Sequence, residues 1–349
     1  MFSLSIYRLY SGPALGFSMP DFPKTIDVVI PVKATVPWLL YALESIARQT
    51  LQPRFITVVD DGADNPEFIR TRGTRLFSER FRLIKSPGQG ISAALNTAIA
   101  ASDAHWIARM DADDIAHPDR LNMQLNFLAT HSGTIGCGTQ IRFINSSNRI
   151  LGYSNLPSEW SQITQQIQSR TCFVHSSMMI RRDALLATTY RPSMDGAEDV
   201  DLILRLAEKG RVINLRDALL DYRLHLTQES FRARARGTAV QELAFRLALS
   251  RRIRKFDPLE HGSDLAERFI EWRLSDPAYV RSRTFLTALR YGRTYLRGLD
   301  FWGFSQMALV GLNSIPNSWS SLHISWQVVR RAGAALLNQP TPFAELNVP

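Results

Sequence analysis

The sequence predicts an α/β protein: a mostly parallel, mixed sheet flanked by helices, with a helical extension at its C-terminal end. Three observations carry this. From Ile26 to about Ser132, apolar strand-like runs alternate with helical patterns, as in βαβ units. Acidic residues gather where those apolar runs stop. Beyond about residue 228 the pattern becomes Arg-rich and helical. With 349 residues, 45% of them hydrophobic, the chain can fill a sizeable core, as one large domain or as a domain with an appendage.

Ile26 to Val32 (IDVVIPV) reads as a buried strand, and Pro37 suits the first turn of a helix carrying Leu39, Leu40, Leu43, Ile46 and Ala47 on one side. Phe55 to Val59 is a second strand, closed by Asp60, Asp61 and Gly62 in a turn. A polar helix from Pro66 to about Phe77 leads to a short strand, Arg82 to Lys85. Gly88 and Gly90 then precede a helix of small residues, Ala93, Ala94, Ala98 and Ala101, which suits either tight helix packing or close approach to a ligand. Trp106 to Met110 reads as a strand and Leu121 to Leu128 as an amphipathic helix. Two strands joined by a turn at Asn145 to Asn148 follow, then a strand in VHSSMMI, a helix from Glu198 stopped by Gly210, and strands in VINL and LLDYRLH. In the extension, Val240, Leu243, Leu247 and Ile253 fall along one helical face.

Composition narrows the function. Two cysteines, Cys137 and Cys172, are too few for a disulfide framework and lack metal-site spacing, which suits a reducing cytosol. No stretch approaches the roughly 20 uninterrupted apolar residues of a membrane span. The first 24 residues lack the pattern of a signal peptide, and Met19, just ahead of the first strand, is the expected natural start. The net charge of +9 is concentrated between Phe231 and Leu299, where 15 Lys and Arg face 7 Asp and Glu. Such a surface suits anionic lipid, nucleic acid or a polyanionic substrate, or is a solvated helical face. The tail lacks the interleaved aromatic and glycine pattern of an RNA platform, so no nucleic-acid partner is expected.

The densest chemistry lies in HWIARMDADDIAHPDR. Asp111, Asp113 and Asp114 repel one another unless a cation sits among them, and hard divalent ions such as Mg²⁺ or Mn²⁺ take oxygen ligands of this kind. A capping role for Asp111 and Asp113 is the alternative. Their position, at the C-terminal end of a buried strand, is where open α/β sheets bind ligands. The pattern therefore points to a metal-dependent site acting on a phosphorylated substrate.

IPV, VVDDG, the Gly-containing small-residue helix, MDADD, EDVDLILRL and YRLH, in that order and spacing over about residues 26 to 228, resemble the family 2 glycosyltransferases. That resemblance implies the nucleotide-sugar-binding GT-A fold and an inverting mechanism. It places Pro31 and Val32 near the nucleotide base, Asp60 and Asp61 as acceptors from base or ribose, and Gly90 and Asn96 along the nucleotide. Asp111 is implied near ribose and metal, and Asp113 as a metal ligand at the diphosphate. Asp199, beside Glu198, is implied as catalytic base, though by themselves the two read as helix N-terminal acids. His225 matches a position that in some relatives helps hold the metal, and His175 one near the acceptor. Two departures alter the base-binding floor: Lys33 and Ala34 replace an aromatic-Asn pair, and Ala63 replaces a serine.

The implied organisation is an N-terminal extension over 1–24, a GT-A domain over 25–228 and a basic, mainly helical region over 229–349. The implied reaction moves a sugar from a nucleoside diphosphate donor, UDP expected, to a hydroxyl of a glycan or lipid-linked acceptor in cell-surface polysaccharide synthesis. Mn²⁺ or Mg²⁺ is the expected cofactor. Arg232, Arg234, Arg236, Arg251, Arg252, Arg254 and Lys255 are the expected contacts to the inner face of the membrane for a cytoplasmic or peripheral enzyme. Two alternatives are a noncatalytic sugar-nucleotide binder and a nucleotidyltransferase of related fold. The second would need a Gly-rich, basic loop that VKATVPW does not supply.

Overall fold

The computed structural model describes residues 25–347 except 35, 36, 89, 229, 230, 232, 261, 263 and 315–340. The expectations for residues 1–24, for Met19 and for Arg232 lie outside the described residues. Nine strands form one sheet: β1 (Ile26–Val32), β2 (Phe55–Asp60), β3 (Phe81–Lys85), β4 (Trp106–Arg109), β5 (Ile115–Ala116), β6 (Thr134–Ile144), β7 (Ile150–Tyr153), β8 (Met179–Arg181) and β9 (Arg211–Arg223). Their order is β3-β2-β1-β4-β8-β6-β9-β5, with β7 on the outside of β6. β1 to β4 run parallel, while β8 opposes both β4 and β6, so four pairings are parallel and four antiparallel. The sheet is thus more evenly mixed than expected.

β1 is apolar throughout because both its edges are paired and both its faces covered. Val28 and Ile30 point into one cluster with Leu39, Leu43, Ile46 and Leu121; Val29 points into the other with Ala94, Ile107 and Leu202. Asp27 is the exception, fully buried, and it is held by the Arg54 guanidinium (3.0 and 3.1 Å) and the Ser102 hydroxyl (2.6 Å).

The helices follow in turn. α1 (Leu39–Ala47) starts after Trp38, so Pro37 stands in the preceding turn rather than inside the helix. α2 (Pro66–Phe77) is capped by the Asn65 carboxamide, which accepts from the Phe68 N–H at 2.9 Å. α3 (Ile91–Ala100) and α4 (Arg120–Thr130) cover opposite faces of the sheet. The VHSSMMI segment forms only a tight turn at His175–Ser177 and the short β8, because Ser176 and Ser177 spend their hydroxyls on the Asp111 and Thr139 amides. VINL and LLDYR fuse into the single long β9, whose pairing with β6 shifts register near Gly138 and Gln140.

After α5 (Trp160–Gln166) and α6 (Arg182–Leu186), α7 (Glu198–Ala207) is buried on almost every side. Its outer face is covered by α8 (Arg234–Arg254), whose Val240, Leu243 and Leu247 share one apolar cluster with Val29, Ile107 and Leu202. Ile253, expected on that face, is exposed instead, since α8 ends there in the left-handed Lys255. α9 (Leu265–Leu274), α10 (Pro277–Arg297) and α11 (Phe301–Leu312) follow, and a short turn at Ala344–Leu346 lies near the end of the described residues. Among the described residues, no helix is long and apolar enough to cross a membrane.

The basic residues expected at a membrane are mostly used internally. Arg251 pairs with Glu208 (2.9 Å) and Asp257 (3.0 Å), Arg252 donates to Gln168, Arg254 to the Glu345 and Asn347 carbonyls, and Arg234 to the Phe231 carbonyl. Arg236 and Lys255 stay exposed. The high charge of α8 therefore serves its packing, as with Arg246 and Arg273, which both bind the buried Glu242.

Because the α7 face rests on α8, Leu243→Ala should lower stability by about 2–5 kcal/mol and lower the urea midpoint of one shared unfolding transition. A separate, earlier transition confined to the C-terminal helices would show that the two parts do not fold as a unit.

Candidate functional site

The C-terminal ends of β1, β2 and β4 open on one crevice, at the point where strand order reverses between β1 and β4. Pro31 and Val32 end β1. Beside them, Asp60 folds back and accepts from the Gly62 (3.0 Å) and Ala63 (2.7 Å) amides, an Asx turn that fixes the loop. Asp61 hangs from the same turn, its amide bound to the Val32 carbonyl at 2.8 Å, and its Oδ1 is buried with no hydrogen-bond partner. A buried carboxylate oxygen left open in this way marks a place for a donor from a ligand.

Gly90 lies at the N-terminus of α3 with φ +93°, and a Cβ there would sit 2.0 Å from Asp195 Oδ2. Asp195 in turn accepts from the Ser92 amide at 3.2 Å, serving α3 as a cap borrowed from another loop. Asn96 is the other residue of this helix expected along the nucleotide. Its carboxamide is engaged twice with the Tyr190 backbone, at 2.8 and 2.9 Å, and so latches α3 to the loop that precedes α7.

At the end of β4 the three aspartates converge: one oxygen from each of Asp111, Asp113 and Asp114 lies within 4.8 Å of the others. Their environments differ. Asp114 is fully buried and accepts from the Arg223 amide at 2.9 Å; burial first, then its two neighbours' charges, hold its pKa well above the usual range. Asp111 is partly exposed and takes a two-pronged bond from Arg109, 2.6 Å on each side. Its pKa is raised by burial, which Arg109 offsets only in part while Asp113 adds to the effect. Asp113 bonds His225 Nε2 at 2.8 Å, and His225 Nδ1 meets the Thr227 hydroxyl at 2.8 Å. Trp38 lies against the His225 ring, with centroids 4.5 Å apart. Hard oxygen donors crowded together in this way fit a divalent ion, which Asp111 and Asp113 would hold with His225 adjacent while Asp114 braces the loop.

The second acidic pair enters from the α7 N-terminus. The buried Glu198 accepts from the Gly196 amide at 3.0 Å, and burial, then the charge of Asp199, pushes its pKa up to about 8. Asp199 is raised too, again by burial. Arg109 is bonded to Asp111 and within electrostatic range of Glu198, and so links the two acidic sets. Burial works against its charge, but Asp111, Tyr190 and Glu198 more than offset this and keep it protonated. His175, implied near the acceptor, is buried behind Glu198. Its Nε2 lies 2.7 Å from the Tyr190 hydroxyl and its Nδ1 3.9 Å from Glu198, and burial with Arg109 nearby keeps it neutral. Gly237 of α8 sets the loop before α7, since a Cβ there would come within 2.8 Å of the Gly196 carbonyl.

Arg109, Tyr190, Asp195 and Arg223 thus belong to the site although the motifs did not single them out. Arg109 left a trace, a charge inside the apolar run WIARM; Tyr190 and Asp195 left none.

The glycosyl transferase family 2 pattern matches residues 27–188. A glycosyltransferase of Haemophilus influenzae, itself uncharacterized, is 32% identical over 195 residues, which cover 54% of this chain and 71% of that one. The chain belongs to glycosyl transferase family 2. It is also similar to the O-antigen biosynthesis glycosyltransferase WbnJ of Escherichia coli, 27% identical over 204 residues that cover 57% of this chain and 80% of the relative. Among solved structures, the mannosyltransferase PcManGT from Pyrobaculum calidifontis, in complex with GDP-Man and Mn²⁺, shares the GT-A fold, with a TM-score of 0.50 at 16% identity over 88% of this chain and 92% of that one.

In this family 2 glycosyltransferase, Glu198 keeps when folded a proton that the unfolded chain gives up near 4.5, so folding loses stability as pH rises from there to about 8. Metal-free protein should melt at progressively lower temperature across that window, and Glu198→Gln should flatten the profile. A variant that kept the wild-type slope would assign the effect to another group.

Proposed function

We propose that this family 2 enzyme inverts the anomeric centre while moving a sugar from a nucleoside diphosphate donor to a hydroxyl of a glycan or lipid-linked acceptor in cell-surface polysaccharide synthesis. The observation that carries this reading is the Arg109 guanidinium bonded to Asp111 at 2.6 Å with Glu198 within its electrostatic range, and Asp199 within range of Asp111. WbnJ, by its name, works in O-antigen synthesis, and PcManGT binds GDP-Man and Mn²⁺. Both lend support by likeness.

The donor's base and ribose would lie over Pro31 and Val32, with the open oxygen of Asp61 accepting from the nucleoside. Asp111 and Asp113 would hold Mn²⁺ or Mg²⁺, with His225 Nε2 at hand. When bound, the ion supplies Lewis-acid neutralisation of the departing diphosphate. Arg109 keeps Asp111 oriented for this, and its fixed charge lies close to where negative charge develops.

The acceptor hydroxyl attacks the anomeric carbon from the face opposite the diphosphate, its proton passes to Asp199, and the bond to the diphosphate breaks. Two neighbouring carboxyls with raised pKa values divide the labour: Glu198 stays protonated near neutral pH, which leaves Asp199 to carry the charge. Burial makes that carboxylate a stronger base than one in water.

Asp199→Asn should lower transfer by about 10²–10⁴-fold while leaving Mn²⁺-dependent thermal stabilisation by a nucleotide sugar nearly intact. A panel of UDP-, GDP- and dTDP-sugars identifies the donor by the same measurement. Asp113→Ala should abolish the stabilisation, and EDTA should abolish transfer. Full activity in EDTA, or loss of donor binding in Asp199→Asn, would overturn these roles.

A further inference from the structure

The hairpin of α10 and α11 carries an exposed apolar tip. Leu296 is 44% exposed, Leu299 60%, Phe301 65% and Trp302 75%, all within seven residues of one turn. The turn is built rather than loose. Asp300 caps α11 by accepting from the Gly303 amide at 2.9 Å, Tyr295 packs onto Gly303, and the Tyr295 hydroxyl donates to the Leu224 carbonyl at 2.8 Å. Leu299 has φ +56°, a conformation that favours Gly or Asn, yet the chain places a solvent-facing leucine there. The outer sheet hairpin continues the surface with exposed Ile150 and Tyr153, and Arg149 donates to the Leu299 carbonyl at 3.2 Å.

The charge around this tip has one sign. Residues 277–314 contain five arginines and a single acid, Asp300, whose carboxylate is taken up by Gly303 and by the Asn145 side chain at 2.6 Å. Arg290, Arg293 and Arg297 are exposed at helical spacing beside Leu289 and Leu296. Aromatic and aliphatic tips ringed by arginine suit the interface of an anionic bilayer, where apolar side chains enter below the headgroups and guanidinium groups meet phosphate. The same ring disfavours a second copy, which would bring like charges together.

We propose that the α10–α11 tip, with the adjoining face of β7, is a docking surface for anionic phospholipid. This places the membrane contact on a different face from the α8 arginines. The surface is tied to the acidic crevice by polar bonds: Asp300 to Asn145, the Asn145 carbonyl to Arg223 at 2.9 Å, and Arg223 Nε to the Asp113 carbonyl at 2.8 Å. A lipid-linked acceptor would thereby be presented to the crevice at a fixed orientation, and that consequence alone rests on the glycosyl-transfer reading.

The test is sedimentation of the full chain with vesicles of phosphatidylcholine, with or without phosphatidylglycerol. Binding should require phosphatidylglycerol and weaken at high salt. Phe301→Ser with Trp302→Ser, and separately Arg293→Gln with Arg297→Gln, should each reduce it about tenfold, with melting temperature and nucleotide-sugar stabilisation unchanged. Binding indifferent to phosphatidylglycerol or to both variants would overturn the proposal. So would wild-type self-association that the Phe301/Trp302 variant abolishes in the absence of lipid binding, which would assign the tip to a second copy. Lipid binding that emerges only on deletion of residues 315–340 would assign it to that segment. Asp199→Asn should still bind vesicles, so failure of the proposed chemistry and failure of the lipid surface can be told apart.

Discussion

The constraint that governs this molecule is electrostatic: five carboxylates must be held around one crevice without driving the fold apart. Asp111, Asp113 and Asp114 come from one short loop, Glu198 and Asp199 from the start of a distant helix. Arg109 is tied to both sets, bonded to Asp111 and within electrostatic range of Glu198. Arg223 does the complementary work from below, donating its amide to Asp114 and its guanidinium to the Asp113 and Asn145 carbonyls. Burial first, and then the neighbouring carboxylate charge that these cations do not offset, raises the pKa values of Asp111, Asp114 and Glu198. The fold thus stores an unmet demand for positive charge at the place where a metal and a diphosphate would meet.

That arrangement depends on packing well outside the crevice. An α7 exposed on one side could tolerate small shifts of its N-terminus. Buried on almost every side, it is fixed by α8, by the close contact of Gly237 with the Gly196 carbonyl, and by the Asn96 latch on Tyr190. The position of Asp199 relative to Asp111 is therefore set by contacts from two separate segments, α3 before α7 in the chain and α8 after it.

These origins explain what was legible in the sequence. β1, β2 and α2 announce themselves because period, cap and turn residues are local, and their bounds emerge within a residue of expectation. The aspartate cluster was legible because three acids in four positions repel one another unless a cation sits among them, and because they follow a buried strand. Tyr190 and Asp195 were not, since Asn96 and Ser92, which they meet, lie 94 and 103 residues away in sequence and nothing in spacing encodes such pairings; Arg109, bonded to Asp111 two positions on, showed only as a charge inside an apolar run. VHSSMMIRRDAL yields its expected strand only over Met179–Arg181, because the two serines before it are spent on amides of neighbouring segments.

The arginines of the C-terminal region show the same limit in another form. Composition counts charges but does not say which are already satisfied. α8 and the α10–α11 hairpin look alike in sequence, both rich in arginine and apolar residues. In α8, Arg246, Arg251, Arg252 and Arg254 are turned toward acids, an amide or carbonyls of the same chain, so their charge holds helices together. In the hairpin, Arg290, Arg293 and Arg297 face solvent beside a tip of unburied aromatics. Equal charge density thus gives mostly packing in one helix and a surface field in the other, and the field of the second is free to act on something outside the molecule.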